Sequence, residues 1–269
     1  WAWRAEGPAM TIRTEIGYTT PDAIHVRGMN LATEIIGKLD FVEMLWLLAM
    51  ARLPEPREKA MVNMLLVTAA DHGLTPSAIA TRMTWLGAPE SLQGAVAAGL
   101  LGAGSNFLGT VQNVSEMLLA AAEGLADDAS DAEVRERAAT LVRERRQAKR
   151  SIPGIGHPIH VDGDPRVPTL LAVSKANGYF GRHWRLALAL VEVLREDHGR
   201  HLPLNAAGAN GAVLADMGLD PLLGRGLALV GRAAGLVAHV CEESRAPTGQ
   251  QLWDLVLRQD PRNVLPARG

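Results

Sequence analysis

Ile152-Pro153-Gly154-Ile155-Gly156-His157-Pro158-Ile159-His160-Val161-Asp162-Gly163-Asp164-Pro165-Arg166 holds three glycines, three prolines, two histidines, two aspartates and one arginine in fifteen residues. Glycine and proline at this density break a helix and let the backbone approach a ligand closely. The sequence on either side reads as helix. The run is therefore a polar, turn-rich insert between apolar helices, the kind of segment that carries binding and catalytic groups. A histidine beside glycine can exchange protons near neutral pH. An arginine further along the same loop can hold a carboxylate by two parallel hydrogen bonds. The plainer reading is a helix–helix loop whose polar groups only satisfy the backbone.

Helical patterns fill most of the chain on both sides. Asp40 is placed to cap a helix over 41–52, in which Phe41, Met44, Leu45 and Leu48 follow the 3.6-residue period, and Pro54 and Pro56 end it. A second amphipathic helix over 57–70, with Met61, Leu65 and Val67 inward, delivers Ala70-Asp71-His72-Gly73. Helices are predicted over 75–86 and 89–101, the latter with the small residues Ala95, Ala97, Ala98 and Gly99, and another runs from Gly104-Ser105-Asn106 to about residue 124. Asp127, Asp128 and Asp131 lead into a charged helix ending near Arg150, whose default reading is a solvated face. Beyond the loop, helices are predicted over 168–176, 183–198, 205–217, 221–244 and 249–259. Leu222 to Val240 is apolar nearly all round, interrupted by Arg225 and Arg232, and reads as a buried helix. Residues 11–27 alternate weakly and read as a small β-hairpin or extended arm. No sustained strand pattern and no internal repeat appears. The fold class is all-α with a short N-terminal hairpin.

Gly-x-Gly-His followed by Asp-Pro-Arg, with His157 and Arg166 nine residues apart, resembles the central motif of the citrate synthase superfamily. That superfamily includes citrate synthases, citryl-CoA lyases and the C-terminal module of ATP-citrate lyase. Matching segments run in order from about Thr14 to about Val256, and the short length resembles citryl-CoA lyases more than full-length synthases. The resemblance implies a large helical domain over 10–114 and 219–269 and a smaller one over 115–218 carrying the central loop. The two would close over substrate, and a homodimer is expected. Residues 1–9 look unlike the rest: Gly7-Pro8-Ala9-Met10 resembles the scar of a cleaved tag, and Met10 is taken as the native start.

The resemblance also assigns roles. His157 matches the histidine that acts on the carbonyl oxygen of oxaloacetate, which is the hydroxyl of citrate, donating a proton on condensation and removing it on cleavage. Arg166 and Arg232 match carboxylate-binding arginines, and His72 matches a substrate-side histidine. The plainer readings are a structural ion pair for Arg232 and a helix-terminal histidine for His72. Asn205 is a candidate substrate contact. Lys149 and Arg150, just before the loop, are candidates for the phosphates of coenzyme A, and Arg245 is a weaker candidate because the synthase pattern around it is incomplete. Two family groups are missing. Phe107 or Leu108 stands where a histidine polarises the thioester carbonyl, and Ala207 stands where an aspartate deprotonates the acetyl methyl. Pro158 follows His157, where an arginine is common. Phenylalanine cannot donate a hydrogen bond and alanine cannot take a proton, so ordinary citrate synthase activity is not expected. Asn106, Gln112, Asn205 and Asn210 are amides near those positions.

Composition narrows the class further. A formal net charge of −2 and a pI of about 6.5 argue against nucleic acid as the main partner. The one cysteine, Cys241, excludes an intramolecular disulfide, fits a reducing, cytoplasmic compartment and reads as a small buried hydrophobe. No apolar run reaches the roughly 18 residues of a membrane span. His160, His183, His198, His201 and His239 have no metal-ligand spacing, and no P-loop, dinucleotide fingerprint or nucleophile elbow is present. The expected substrate is a small polycarboxylate or its CoA thioester, with no covalently bound cofactor and no metal. The expected reaction is carbon–carbon cleavage or formation with His157 as acid–base group. The alternatives are decarboxylation or hydration–dehydration of a polycarboxylate without CoA, and a degenerate homologue that only binds one.

Overall fold

A computed structural model describes residues 12–265. The segment read as a tag remnant lies outside the described residues. The chain divides into two compact units, broken between Lys59 and Ala60.

In the first unit a three-stranded antiparallel sheet is formed by β1 (Gly17–Thr19), β2 (Ile24–Val26) and β3 (Met29–Asn30), in that order. Arg27 and Gly28 both take positive φ in the turn joining β2 to β3, which matches the twist of a tight hairpin. A π-helical turn, Leu31–Ile35, follows, with Asn30 Oδ1 accepting from Ala32 and Thr33 N–H. Helix α1 (Phe41–Met50) starts on a capping box between Asp40 and Glu43. Its buried residues are Trp46 and Leu47, whereas Phe41 is largely exposed. The helix is apolar round most of its circumference, so periodicity alone did not select the buried face.

Helix α2 (Pro56–Ala70) begins in the first unit and continues in the second, where Met61, Val62, Leu65 and Leu66 are buried and Val67 faces outward, against expectation. Next come α3 (Pro76–Gly87), α4 (Leu92–Ala103), a π-helical turn at Gly104–Leu108, α5 (Thr110–Ala121) and α6 (Asp131–Gln147). After the central loop follow α7 (Val167–Ala176), α8 (Arg182–Glu196), α9 (Ala206–Asp216), α10 (Pro221–Glu243) and α11 (Gly249–Gln259). The all-α expectation with a short N-terminal sheet holds.

Helix α9 is central to the second unit, packed by α5, α7, α8 and α10. Nine of its eleven residues are buried, and most are Ala or Gly, which lets neighbouring helices approach from every side. Helix α10 is buried on one stripe, at Gly224, Leu227, Ala228, Gly231, Arg232, Gly235, Leu236, His239, Val240 and Glu243. That spacing leaves Cys241 one position off the stripe and exposed, which corrects the expectation of a buried thiol. Leu222 and Val237 are exposed too, so α10 is one-sided rather than buried all round.

Leu92–Ala121 and Pro221–Glu243 are long and apolar enough to cross a membrane by length and composition alone. This corrects the reading that no run is long enough. The first arises because the π-helical turn joins α4 to α5, and both segments pack against other helices of the second unit.

The central loop is fixed by backbone contact. Gly154 has φ +82°, and a Cβ there would stand 2.6 Å from Gly208 Cα on α9. Gly154 O accepts from Asn205 N–H, Gly156 N–H donates to Pro203 O at 2.7 Å, and Ile155 bridges Leu204. Gly154→Ala adds a clash to an unfavourable φ. We expect it to cost about 1–3 kcal/mol or more, seen as a lowered midpoint in urea unfolding, and an unchanged midpoint would contradict the close approach.

Candidate active site

Four segments of the second unit converge on a cavity of about 620 Å³. The end of α2 brings His72, the central loop brings His157 and Arg166, α9 brings Ala207 and Asn210, and α10 brings Arg232. The π-helical turn closes one wall with Phe107 and Leu108. Such a volume suits a small to medium ligand.

His157 is oriented by its own loop. Its Nδ1 accepts from the N–H of Ile159 at 3.1 Å and of His160 at 3.0 Å. A neutral imidazole whose Nδ1 is an acceptor carries its proton on Nε2, so His157 offers an N–H donor. Burial, and then the neighbouring charges of His160, Arg166 and His72, outweigh Asp164 and lower its pKa below 6.5. His72 is shifted the same way, first by burial and then by Arg166, His160 and Arg232. No hydrogen bond to another described residue engages the His72 ring.

His72, His157 and His160 form a cluster in which one ring nitrogen from each lies within 4.8 Å of the others, with the ring centroids of His157 and His160 4.5 Å apart. Sequence spacing did not point to this cluster. Three imidazoles at this range could in principle ligate a cation, but His157 spends its Nδ1 lone pair on two backbone N–H groups and keeps a proton on Nε2. In this arrangement only His72 and His160 have a nitrogen to give, too few for a three-histidine site.

Arg166 is held by Asp164, a partner the sequence reading did not single out. Its Nε and Nη2 donate to the Asp164 carboxylate at 2.9 and 2.7 Å, and Asp164 also accepts from the N–H of Arg166 and of Ala206. Burial alone would raise the Asp164 pKa, but these donors hold it well below the usual carboxylate range. The Nη1 side of Arg166 remains for a ligand.

Arg232 is 7 % exposed, and its Nε and Nη1 have no hydrogen-bond partner. Burial lowers its pKa from the ordinary arginine value, Asp71 opposes this, and Arg166 adds to it. An arginine remains protonated even so. A buried, incompletely paired guanidinium facing a cavity is a site for an anion.

A buried network supports His72. Arg82 donates through Nη1 to Glu243 at 2.7 Å and through Nε to His239 Nδ1 at 3.0 Å, and it also contacts Glu242. His239 Nε2 then donates to Asp71 Oδ1 at 2.9 Å, while Asp71 Oδ2 accepts from Gly73 N–H. The turn carrying His72 is thus tied to α3, α10 and α11. Burial would raise the Glu243 pKa, but donors from Gly249, Arg82 and Thr248 bring it down to about 2.

The remaining sequence candidates fall elsewhere. Asn205 reaches the cavity wall, but its amide is spent: Oδ1 caps α9 at Gly208 N–H and Nδ2 donates to Gly156 O. It shapes the loop rather than presenting a free amide. Arg150 lines a separate cavity of about 160 Å³ with Arg145, Arg146 and Arg200, while Lys149, at φ +51°, lines neither cavity. Arg245 donates to Cys241 O, away from both. Phe107, Leu108 and Ala207 line the main cavity with neither donor nor base.

Residues 25–253 match the family described as citrate synthase, C-terminal domain. The solved structure of citryl-CoA lyase from Hydrogenobacter thermophilus is similar at TM-score 0.80 and 31% identity, covering 97% of both chains. ATP citrate lyase of Methanosaeta concilii, solved with (3S)-citryl-CoA, shares the fold at TM-score 0.75 and 22% identity over 97% of this chain and 43% of its own. Among curated relatives, ATP-citrate synthase subunit 1 of Sordaria macrospora is 28% identical over 239 residues, 82% of this chain. This chain spans 33% of that relative's length. It spans 48% of citrate synthase 2 of Bacillus subtilis, with 26% identity over 195 residues.

The tautomer of His157 is directly measurable. Long-range ¹H–¹⁵N spectra of the labelled protein, assigned with His157→Gln, are expected to show the Nε2–H pattern at neutral pH. An Nδ1–H pattern would contradict the backbone hydrogen bonds described above.

Proposed function

The chain belongs to the citrate synthase family, and from that premise we propose that it is a lyase cleaving a citryl-CoA-like hydroxy-polycarboxylate thioester. The observation that carries the proposal is Arg232, a buried cation without a full set of partners, opening on the same cavity as Arg166, His72 and His157. Two guanidiniums suit two substrate carboxylates. The two histidines, both shifted toward the neutral form, suit the hydroxyl between them.

His157, expected from the resemblance to remove the hydroxyl proton, instead hydrogen-bonds through Nε2–H to the substrate hydroxyl oxygen and keeps its proton in this mechanism, and neutral His72 accepts the hydroxyl proton. The oxygen's electrons form the ketone of oxaloacetate as the carbon–carbon bond breaks. The released pair becomes the enolate of the thioester, which takes a proton at carbon from water to give acetyl-CoA, and the hydroxide left behind takes back the proton held on His72. Ala207 supplies no acid for this protonation, so in this reading water takes that role. The arginines at 145, 146, 150 and 200 have no acidic partner among the described residues and are the groups we assign to the phosphates of coenzyme A. The same reading takes 115–218 as the small domain carrying His157 and Arg166, and 10–114 with 219–269 as the large one carrying His72 and Arg232.

A second reading follows from Phe107 and Ala207, which leave the acyl side of the cavity without ionisable groups: binding or CoA-independent turnover of a polycarboxylate. One assay separates the two. With citryl-CoA, the purified protein is expected to release acetyl-CoA and oxaloacetate, with activity falling about 10²–10⁴-fold in His157→Ala. No release, together with thermal stabilisation by citrate, would reject the lyase reading in favour of the second.

The pH profile gives a further check. Both histidines titrate below 6.5, and His72 works as the neutral base. kcat/KM is therefore expected to stay level as pH falls to 6.5 and to drop, by about tenfold per pH unit, only beneath the lowered pKa. An acid limb beginning above 6.5 would remove His72 from the base role.

A further inference from the structure

We propose that Asn210 is the oxyanion donor of this site, its side-chain amide hydrogen-bonding the thioester oxygen as that oxygen takes up enolate charge. The inference rests on the thioester reading above and supplies the group that Phe107 and Leu108 cannot.

Asn210 lies on α9, lines the main cavity and is 5 % exposed, yet its Oδ1 has no hydrogen-bond partner. A buried amide left unsatisfied is costly and uncommon, which marks it as a group waiting for a ligand. No hydrogen bond to another described residue holds the amide in one orientation, so it can turn its NH₂ toward an incoming oxygen.

The other polar groups of the cavity wall are already engaged or charged. Thr68 donates to Met64 O and Thr110 to Asn106 O, Thr75 and Ser77 pair with each other, and both ends of the Asn205 amide are bonded to backbone. Asn106 is exposed to water. His157 and His72 suit the hydroxyl, and Arg166 and Arg232 suit carboxylates. Asn210 is the buried amide of this wall that no hydrogen bond to another described residue holds.

Its surroundings fit the task. Asn210 stands one helical turn beyond Ala207, and Leu108, Val111 and Ala228 line the same cavity. A donor among apolar groups acts most strongly on an oxygen that gains charge during the reaction, and it binds the neutral ground state only weakly. During cleavage the electron pair of the breaking carbon–carbon bond moves onto this oxygen, and protonation at carbon returns it to the neutral carbonyl. Asn210 holds the oxygen throughout and transfers no proton.

The test uses the whole protein and acetyl-CoA carrying ¹³C at the thioester carbonyl. On binding to the wild type, the carbonyl infrared band is expected to move to lower wavenumber than in free acetyl-CoA. In Asn210→Leu and Asn210→Asp, each near the size of asparagine and lacking the N–H donor, bound ligand is expected to keep the free band position. With citryl-CoA the variants are expected to lose about 10²–10³-fold in kcat with KM little changed. Either variant suffices if the other does not fold, as judged by thermal unfolding. A carbonyl band that shifts equally in wild type and variant, a kcat within a few-fold of wild type, or a wild type that does not bind acetyl-CoA would each overturn the assignment. A wild type that shifts the band through Asn210 but never cleaves citryl-CoA would uphold the assignment and reject the lyase reading.

Discussion

The carboxylate of Asp164 is the constraint on which the site depends. It accepts from two nitrogens of the Arg166 guanidinium, from the Arg166 backbone and from the first N–H of α9 at Ala206. Four charge-assisted or backbone donors around one buried carboxylate fix the C-terminal end of the central loop relative to α9. The loop then has little freedom left: Gly154 sits on Gly208, Asn205 caps α9 while gripping Gly156, and His157 is held by its own following N–H groups. The geometry of the loop is a consequence of backbone hydrogen bonding rather than of side-chain packing around the histidine.

On the opposite wall a different device serves the same end. The Arg82 guanidinium is buried, and its partners come from α10 and from Thr248 just before α11. Through His239 it reaches Asp71, and Asp71 holds the turn that carries His72. A buried charge left without its partner is strongly destabilising, so this network keeps the turn in one arrangement. Gly235 lets α10 lie against the carbonyl of Ala70 at the end of α2, where any side chain would collide. The guanidinium of Arg232 and the ring of His72 are therefore brought to one cavity by the same helix pair.

Arg166, Arg232, His72 and His157 concentrate positive or neutral donors at one end of the cavity. Phe107, Leu108, Val111, Ala207 and Ala228 add apolar side chains to the same cavity, which Asn210 also lines. Burial first, and then the neighbouring cations, lowers the pKa of both imidazoles. A neutral imidazole can serve as base toward a hydroxyl, and guanidiniums can hold the carboxylates that flank it.

Much of the chain was legible from its residues. The helical periods, the Asp40 cap, the turn-rich loop and the short N-terminal hairpin follow from local preference, and local preference acts within a few residues. The motif around His157 and Arg166 identified the family, and the same match singled out His72 and Arg232. The missing histidine and aspartate were equally readable, since an absent functional group needs no structure to be seen. Only the tertiary structure decided which groups are spent and which are free. Asn205 and Asn210 are both amides on or beside α9, but one is consumed by backbone and the other is buried without a partner. Arg166 is half used by Asp164, Arg150 belongs to a second cavity, and Cys241 falls just off the buried stripe of α10. These distinctions depend on contacts between residues far apart in sequence, and hydrogen-bond partners at that range are set by how the helices pack.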